Sequence, residues 1–168
     1  NTLVKAKLLR RNLRAGRACF TFSHRGERAR WRQQMDPKVR ANTHMTVAER
    51  LASSLSSEPE QIARHYLAAG AKAQAAPFAI AAADKLRAAF AHQRAAELLE
   101  HVVEAADELL KGEIFDQLAD LYTAVGDTEH ARINLDRLVE HIPHMAGPEL
   151  EARKACLLAR IGDFSAAR

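Results

Sequence analysis

Histidines are the side chains of this sequence that could hold a metal ion. Of its eight histidines, His141 and His144 lie three residues apart, and His130 lies eleven residues before His141. Pro143 interrupts the close pair, and no cysteine or carboxylate completes the tetrahedral set that zinc requires. The sequence therefore predicts no metal site and no cofactor in this chain.

Paired carboxylates are the second candidate for chemistry. Asp116 and Asp120 lie four residues apart and would share one face of a helix, which Glu113 joins. Such carboxylates act as general acids and bases when a closed pocket tunes their pKa values, and an open helical array offers no such pocket. Neither the Ser23-His24 pair nor Cys19 shows the residue pattern of a catalytic triad. We therefore predict that this chain is not an enzyme.

Composition indicates an all-α protein. The chain is 48% hydrophobic and 27% charged, which is typical of a folded globular protein, whereas its 5% aromatic content is low for a β-sandwich or barrel. Alanine, leucine, arginine and glutamate, all strong helix formers, dominate. No apolar run reaches eighteen residues and no secretory signal pattern is present. We expect a cytoplasmic protein with no membrane partner.

Charge divides the chain into two parts. Residues 1–50 hold thirteen Lys and Arg against three acidic residues, whereas residues 51–168 hold twelve against eighteen. A strongly basic first part is typical of contact with nucleic acid, an acidic partner or an anionic surface. Alternatively, it packs against an acidic neighbour in a longer chain.

Turn and helix-capping residues along the sequence predict where its helices and strands begin and end. Residues 2–9 are predicted to end a helix, residues 9–23 to form a β-hairpin, and residues 25–35 to form an arginine-rich helix. Asp36 and Pro37 then begin a helix that runs to about Leu55, and further helices follow. Their breaks are predicted at Gly70, near Ala91, at Gly112, at Gly126-Asp127, from Pro143 to Pro148 and at Gly162-Asp163.

Because the last segment reads as the first turn of a helix, which cannot stabilise itself, we expect a fragment of a longer protein.

A helical repeat is the strongest pattern. A 34-residue helix–turn–helix register can be laid on the sequence from Gly112. Its first helix holds Phe115, Leu118, Ala119 and Tyr122 and ends at Gly126. Its second helix holds Ala131, Leu135 and Leu138 and ends at Pro143. This register resembles the tetratricopeptide repeat (TPR). The small Ala119 and Ala131 permit close helix crossing, and glycine permits the left-handed helix end.

Partial copies of the pattern flank this repeat. Gly162 and Ala167 lie 36 residues after Gly126 and Ala131. Ala95 lies 36 residues before Ala131, and Leu99 and Val102 lie 36 before Leu135 and Leu138. Tyr66, Gly70 and Ala75 keep the spacing of Tyr122, Gly126 and Ala131. Ala75 and Ala95 are only 20 residues apart, so one helix over about 76–90 must serve two repeats. The resemblance implies a TPR-like α-solenoid over residues 45–168, truncated at its C-terminal end.

A second resemblance covers residues 1–110. The residues that carry it are Leu8-Leu9-Arg10-Arg11, Phe20-Thr21-Phe22-Ser23-His24, His44 with Ala48-Glu49-Arg50-Leu51-Ala52, and the run from Ile62 to Gly70. This order resembles the segment after the nucleotide-binding domain of bacterial STAND-type signal-transduction ATPases. It implies that residues 1–44 are the end of a winged helix plus a basic helix. Since no phosphate-binding loop occurs here, any ATPase or kinase activity would lie outside this chain.

The TPR resemblance also implies a binding groove, because the first helix of each repeat lines the concave surface. The groove residues under this register are Asp84, Arg87, Glu113, Asp116, Asp120, Thr123, Arg153 and Arg160. Its acidic floor favours a basic or mixed-charge peptide or helix.

Two functions follow from these patterns. The first is a protein–protein interaction and regulatory module of a larger bacterial signalling or transcription-regulating ATPase, whose neighbouring domain is a partner. The alternative is a nucleic-acid-binding module that contacts phosphates through Arg10, Arg11, Arg14, Arg17, Arg25, Arg28, Arg30 and Arg32. In that case Trp31 could stack on a base, although it is also suited to anchor its helix in the core.

Overall fold

The computed structural model describes residues 9–14, 17–54 and 57–141, together with 147, 148, 151, 152, 155, 156 and 159. The chain divides into two compact units, Asn1–Asn42 and Thr43–Arg168. The described residues are mostly helical and begin with a two-stranded hairpin. The predicted all-α class with a small N-terminal hairpin is therefore confirmed. The predicted features at Pro143, Gly162 and Ala167 lie outside the described residues.

The hairpin of the first unit is amphipathic. Strand β1 (Leu9–Arg14) pairs antiparallel with β2 (Arg17–Phe22), so that Leu9 lies opposite Phe22 and Leu13 opposite Ala18. Because side chains alternate between the two faces of a strand, these four residues share one largely apolar face with Phe20 and its partner Arg11. Leu13 is 74% exposed and Phe20 50%. The described part of the unit therefore leaves this apolar face open.

Two helices follow the hairpin. Helix α1 (Arg25–Gln34) matches the predicted basic helix, and α2 (Pro37–Ala52) begins at the predicted proline. The Asp36 carboxylate accepts hydrogen bonds from the backbone N–H groups of Lys38 and Val39, at 2.7 and 3.3 Å. Asp36 therefore caps α2, as its residue type predicts.

Alanine dominates the core of the second unit. Consecutive helices pack against one another, and α4 also contacts α6. Fully buried alanines at 48, 63, 75, 79 and 95 let the helix backbones approach closely. The helices are α3 (Pro59–Ala68), α4 (Lys72–Ala88), α5 (His92–Glu100), α6 (Glu108–Val125) and α7 (Thr128–His141), with a 3₁₀ turn at Val103–Ala105.

Three helix ends share one backbone geometry. Helices α3, α4 and α6 end at Gly70, Phe90 and Gly126, which have φ angles of 80°, 58° and 87°. In each case the next residue donates its N–H to the carbonyl five residues earlier, over 2.8–2.9 Å. This is the Schellman motif. A fully buried alanine follows each left-handed residue by five positions, which is the Gly–Ala spacing that the sequence shows at Gly70 and at Gly126.

Helix α4 contacts three other helices. It packs against α3, α5 and α6 and runs from Lys72 to Ala88. A single helix therefore occupies the stretch that the sequence assigns to two repeats, and its service to both stays a prediction.

The predicted break at Gly112 is wrong. Gly112 is buried inside α6, where the tertiary packing outweighs its weak helix propensity. The helix instead begins at Glu108, because the Asp107 side chain accepts a hydrogen bond from the Leu110 N–H at 2.9 Å. Asp107 is the N-cap that marks this boundary.

Phe90 predicts a stabilising substitution. A bulky residue in the left-handed conformation is strained, and a glycine there is not. We expect Phe90→Gly to raise the free energy of unfolding by about 1 kcal/mol, measured by urea denaturation. Gly126→Ala is the matched reverse change. Its new Cβ would meet no atom within 4 Å, so backbone strain alone should lower stability by about 1 kcal/mol. A destabilised Phe90→Gly variant would contradict this account.

Candidate functional site

Arg87 joins the two helices that carry the predicted groove residues. Its guanidinium contacts Asp84 of its own helix α4 at 3.2 Å and Asp120 of α6 at 3.7 Å. Each of these side chains is close to half exposed. The structure therefore brings together the three groove residues Asp84, Arg87 and Asp120 from two helices.

Helix α6 carries a line of polar residues. Glu113, Asp116, Asp120 and Thr123 follow one another at intervals of three or four residues, so they share one helix face. Glu113 and Asp120 are exposed and Asp116 is partly buried. The Thr123 hydroxyl donates to the Ala119 carbonyl at 2.7 Å, which leaves its oxygen to accept a bond from a ligand.

We call this surface the acidic strip and define it by Asp84, Arg87, Glu113, Asp116, Asp120 and Thr123. Arg153 and Arg160, the other predicted groove residues, lie outside the described residues. The strip holds four carboxylates and one guanidinium, so its net charge is negative. An ion pair of such exposure contributes about 0–1 kcal/mol to stability. Arg87 can therefore exchange its carboxylate partners at little cost to the fold.

A second polar cluster ties α5, α6 and α7 together. The Tyr122 hydroxyl donates to the Glu100 carboxylate, and its ring stacks on His130 with centroids 5.1 Å apart. His130 Nδ1 in turn lies 2.8 Å from an Asp127 oxygen. Burial and the bond to Glu100 raise the pKa of Tyr122 above its ordinary value of 10.0, whereas the bonds from His130 lower the pKa of Asp127. The phenol stays neutral near pH 7, so this cluster supports the fold rather than supplying a nucleophile.

The histidines are dispersed. His141 Nε2 lies 2.7 Å from a Glu108 carboxylate oxygen, whereas His130 pairs with Asp127. His144 is not among the described residues. His65 faces His44 across α2 and α3, with their Nδ1 atoms 3.0 Å apart. No group of three or more His, Cys, Asp or Glu side chains in the described part could hold a metal ion.

Within the described part of the chain, two cavities lie away from the strip. One of about 340 Å³ lies between α3 and α5, where Glu60 holds Arg64 at 2.9 Å and Arg94 at 2.5 Å. The other, of about 290 Å³, is lined by Glu104, Phe115, Arg137, Glu140 and His141. The repeat register did not indicate either cavity, because each depends on which side chains meet across helices.

The predicted basic residues lie on several faces of the first unit. Arg10 and Arg11 are exposed but occupy opposite faces of the hairpin, because they are consecutive in β1. Arg28, Arg30 and Arg32 are exposed on α1, and Trp31 is 44% exposed, so it is not a core anchor in the described part. The side chains of Arg14, Arg17 and Arg25 lie outside the described set.

Across the parts of the chain that the structure describes, we find no helix that is both sufficiently long and sufficiently apolar to cross a membrane.

Comparisons with known proteins found two solved structures. No family model matches the chain, and no curated protein matches it. The two structures are of a kinesin light chain protein from Podosopora anserina with nearly identical TPR-like repeats, one of them a variant with a single substitution. Both share 20% sequence identity with this chain and cover 84% of it. The TM-scores are 0.43 over 86% of the variant and 0.42 over 87% of the other chain.

The helical unit is a TPR-like repeat on the evidence of its own geometry. Consecutive helices pack against one another, three of them are followed by the same left-handed turn, and a buried alanine follows each turn at a fixed distance. A surface formed by α4 and α6 side by side is the expected product of such stacking.

Alkaline pH should test the Tyr122 cluster. Since the pKa of Tyr122 is higher in the folded protein than in the unfolded chain, the stability that this shift contributes is present below about pH 10 and is lost as the pH rises. We expect the urea midpoint of the native protein to fall progressively as the pH rises above about 10, and that of Tyr122→Phe to fall less. Equal losses in the two proteins would refute a special role for this phenol.

Proposed function

We propose that this chain is a protein–protein interaction module whose acidic strip binds a basic or mixed-charge segment of a partner protein. The observation that carries the proposal is the Arg87–Asp120 contact, which shows that α4 and α6 lie close enough for carboxylates of both helices to form one surface. Lysines and arginines spaced along an extended or helical segment could pair with these carboxylates in turn.

The energetics suit reversible binding. Each exposed charge pair contributes only a few tenths of a kcal/mol to about 1 kcal/mol, so several pairs and some apolar contact are needed for a stable complex. Salt screens such pairs over a Debye length of about 8 Å at physiological ionic strength. Binding should therefore weaken as salt is added.

In the wider protein, the module would regulate a neighbouring domain. We infer that it belongs to a cytoplasmic bacterial regulator of the STAND type, because of the motifs in residues 1–110 that resemble those proteins. The open apolar face of the hairpin supports this placement, since Leu13 and Phe20 would be covered by the rest of a winged-helix domain. Any ATPase would then be a neighbour of this chain, and its output would depend on the partner bound by the strip.

Charge reversal on α6 tests the strip. We expect Asp116→Lys with Asp120→Lys to weaken binding of a fluorescent Lys/Arg-rich model peptide at least about tenfold, because two attractive pairs become repulsive. Fluorescence anisotropy at low salt provides the measurement. Glu129→Lys with Glu140→Lys on α7 is the matched control, because it changes the net charge equally and should bind like the native protein. Unchanged affinity of the Asp116/Asp120 variant would remove the proposal.

Nucleic-acid binding is the second candidate function. It is favoured by the exposed Arg28, Arg30 and Arg32 of α1 together with Arg10 and Asn12 on the polar face of the hairpin. Such binding rests on phosphate contacts and must weaken steeply with salt.

A DNA titration at low and at moderate salt decides this candidate. Binding that disappears as salt rises and that is lost in Arg28→Ala with Arg32→Ala would support it. No binding at low salt would end it.

A further inference from the structure

Phe90 combines two unfavourable features at one residue. It adopts the left-handed conformation with φ of 58°, the one such non-glycine residue among those that the structure describes. It is also 86% exposed. A glycine would remove both the backbone strain and the exposed apolar surface, and glycine does occupy the equivalent positions 70 and 126.

Packing within the unit does not account for this aromatic side chain. Its ring meets His92 edge-on with centroids 6.1 Å apart, and most of the ring still faces solvent. Strained residues persist where they serve a function, and exposed aromatic side chains are frequent anchors of protein interfaces.

Phe90 lies next to the acidic strip. Its N–H donates to the Arg87 carbonyl at 3.0 Å, and Arg87 contacts Asp120 near the end of α6. Phe90 thus lies beside the Arg87 end of the acidic strip.

We infer that Phe90 anchors the partner segment, which carries an apolar side chain adjacent to its basic residues; this inference rests on the proposed function. The basic residues lie along the acidic strip, and the apolar residue packs on Phe90. Charge supports this occupant. The carboxylates around Arg87 and the carbonyl end of α4 favour a cation beside the apolar contact.

Two model peptides test the anchor. One carries Lys and Arg spaced by alanine, and the other is identical except for one leucine beside the basic run. We expect the native protein to bind the leucine peptide about tenfold more tightly than the alanine peptide. Phe90→Ala and Phe90→Gly should bind both peptides equally. Because the glycine variant relieves strain, its loss of preference could not be due to misfolding.

Leu109→Ala is the matched control, since Leu109 is 81% exposed at the opposite end of α6. This variant should keep the preference for leucine. If both peptides bind but the Phe90 variants keep the native preference, the anchor is overturned and the acidic strip stands. If neither peptide binds the native protein, the proposed function fails and the anchor fails with it.

Sedimentation equilibrium tests whether Phe90 instead contacts a second copy of the chain. A native dimer that becomes monomeric in both Phe90 variants would identify the occupant as a second copy of the chain, which would overturn the proposal.

Discussion

The close approach of helix backbones at buried alanines is the constraint on which this structure depends. Ala75, Ala95 and Ala131 have no exposed surface, and each follows a left-handed helix end by five residues. A larger side chain at any of them would push two helices apart. Because these three turns share one geometry, they set how α4, α5 and α7 begin, whereas α6 begins at its Asp107 cap. The position of the acidic strip depends on both kinds of boundary.

Helix α4 links the alanine core to the acidic strip, because its buried face packs in that core and its exposed face carries Asp84 and Arg87. It packs against α3, α5 and α6, so its outer face is held beside the outer face of α6, and Arg87 can reach Asp120. The ion pair itself is weak because it is half exposed. The Arg87–Asp120 pair is therefore a consequence of how α4 and α6 pack, and it does not hold them in place. That division suits a binding surface, since a partner can displace a weak surface contact while the alanine core stays intact.

Local periodicity made part of this structure predictable. The Tyr122–Gly126–Ala131 spacing predicted a turn and a close crossing, and the register placed Asp84, Arg87 and Asp120 on one surface. The predicted helix break at Gly112 was wrong because glycine usually interrupts a helix but is buried within α6 here. The helix instead begins after Asp107, whose side chain caps it. Phe90 could not be found by residue type, because aromatic residues do not favour left-handed turns. The bond between Tyr122 and Glu100 depends on a distance between helices that no spacing reveals.

The central claim is that α4 and α6 together form the binding surface. The most direct measurement is to titrate ¹⁵N-labelled protein with the Lys/Arg-rich peptide and to follow the backbone amide shifts. The account predicts that shifts concentrate at Asp84, Arg87, Asp116 and Asp120 and in the turn at residues 89–91. Shifts confined to α5 and α7, or to the basic hairpin and α1, would contradict it.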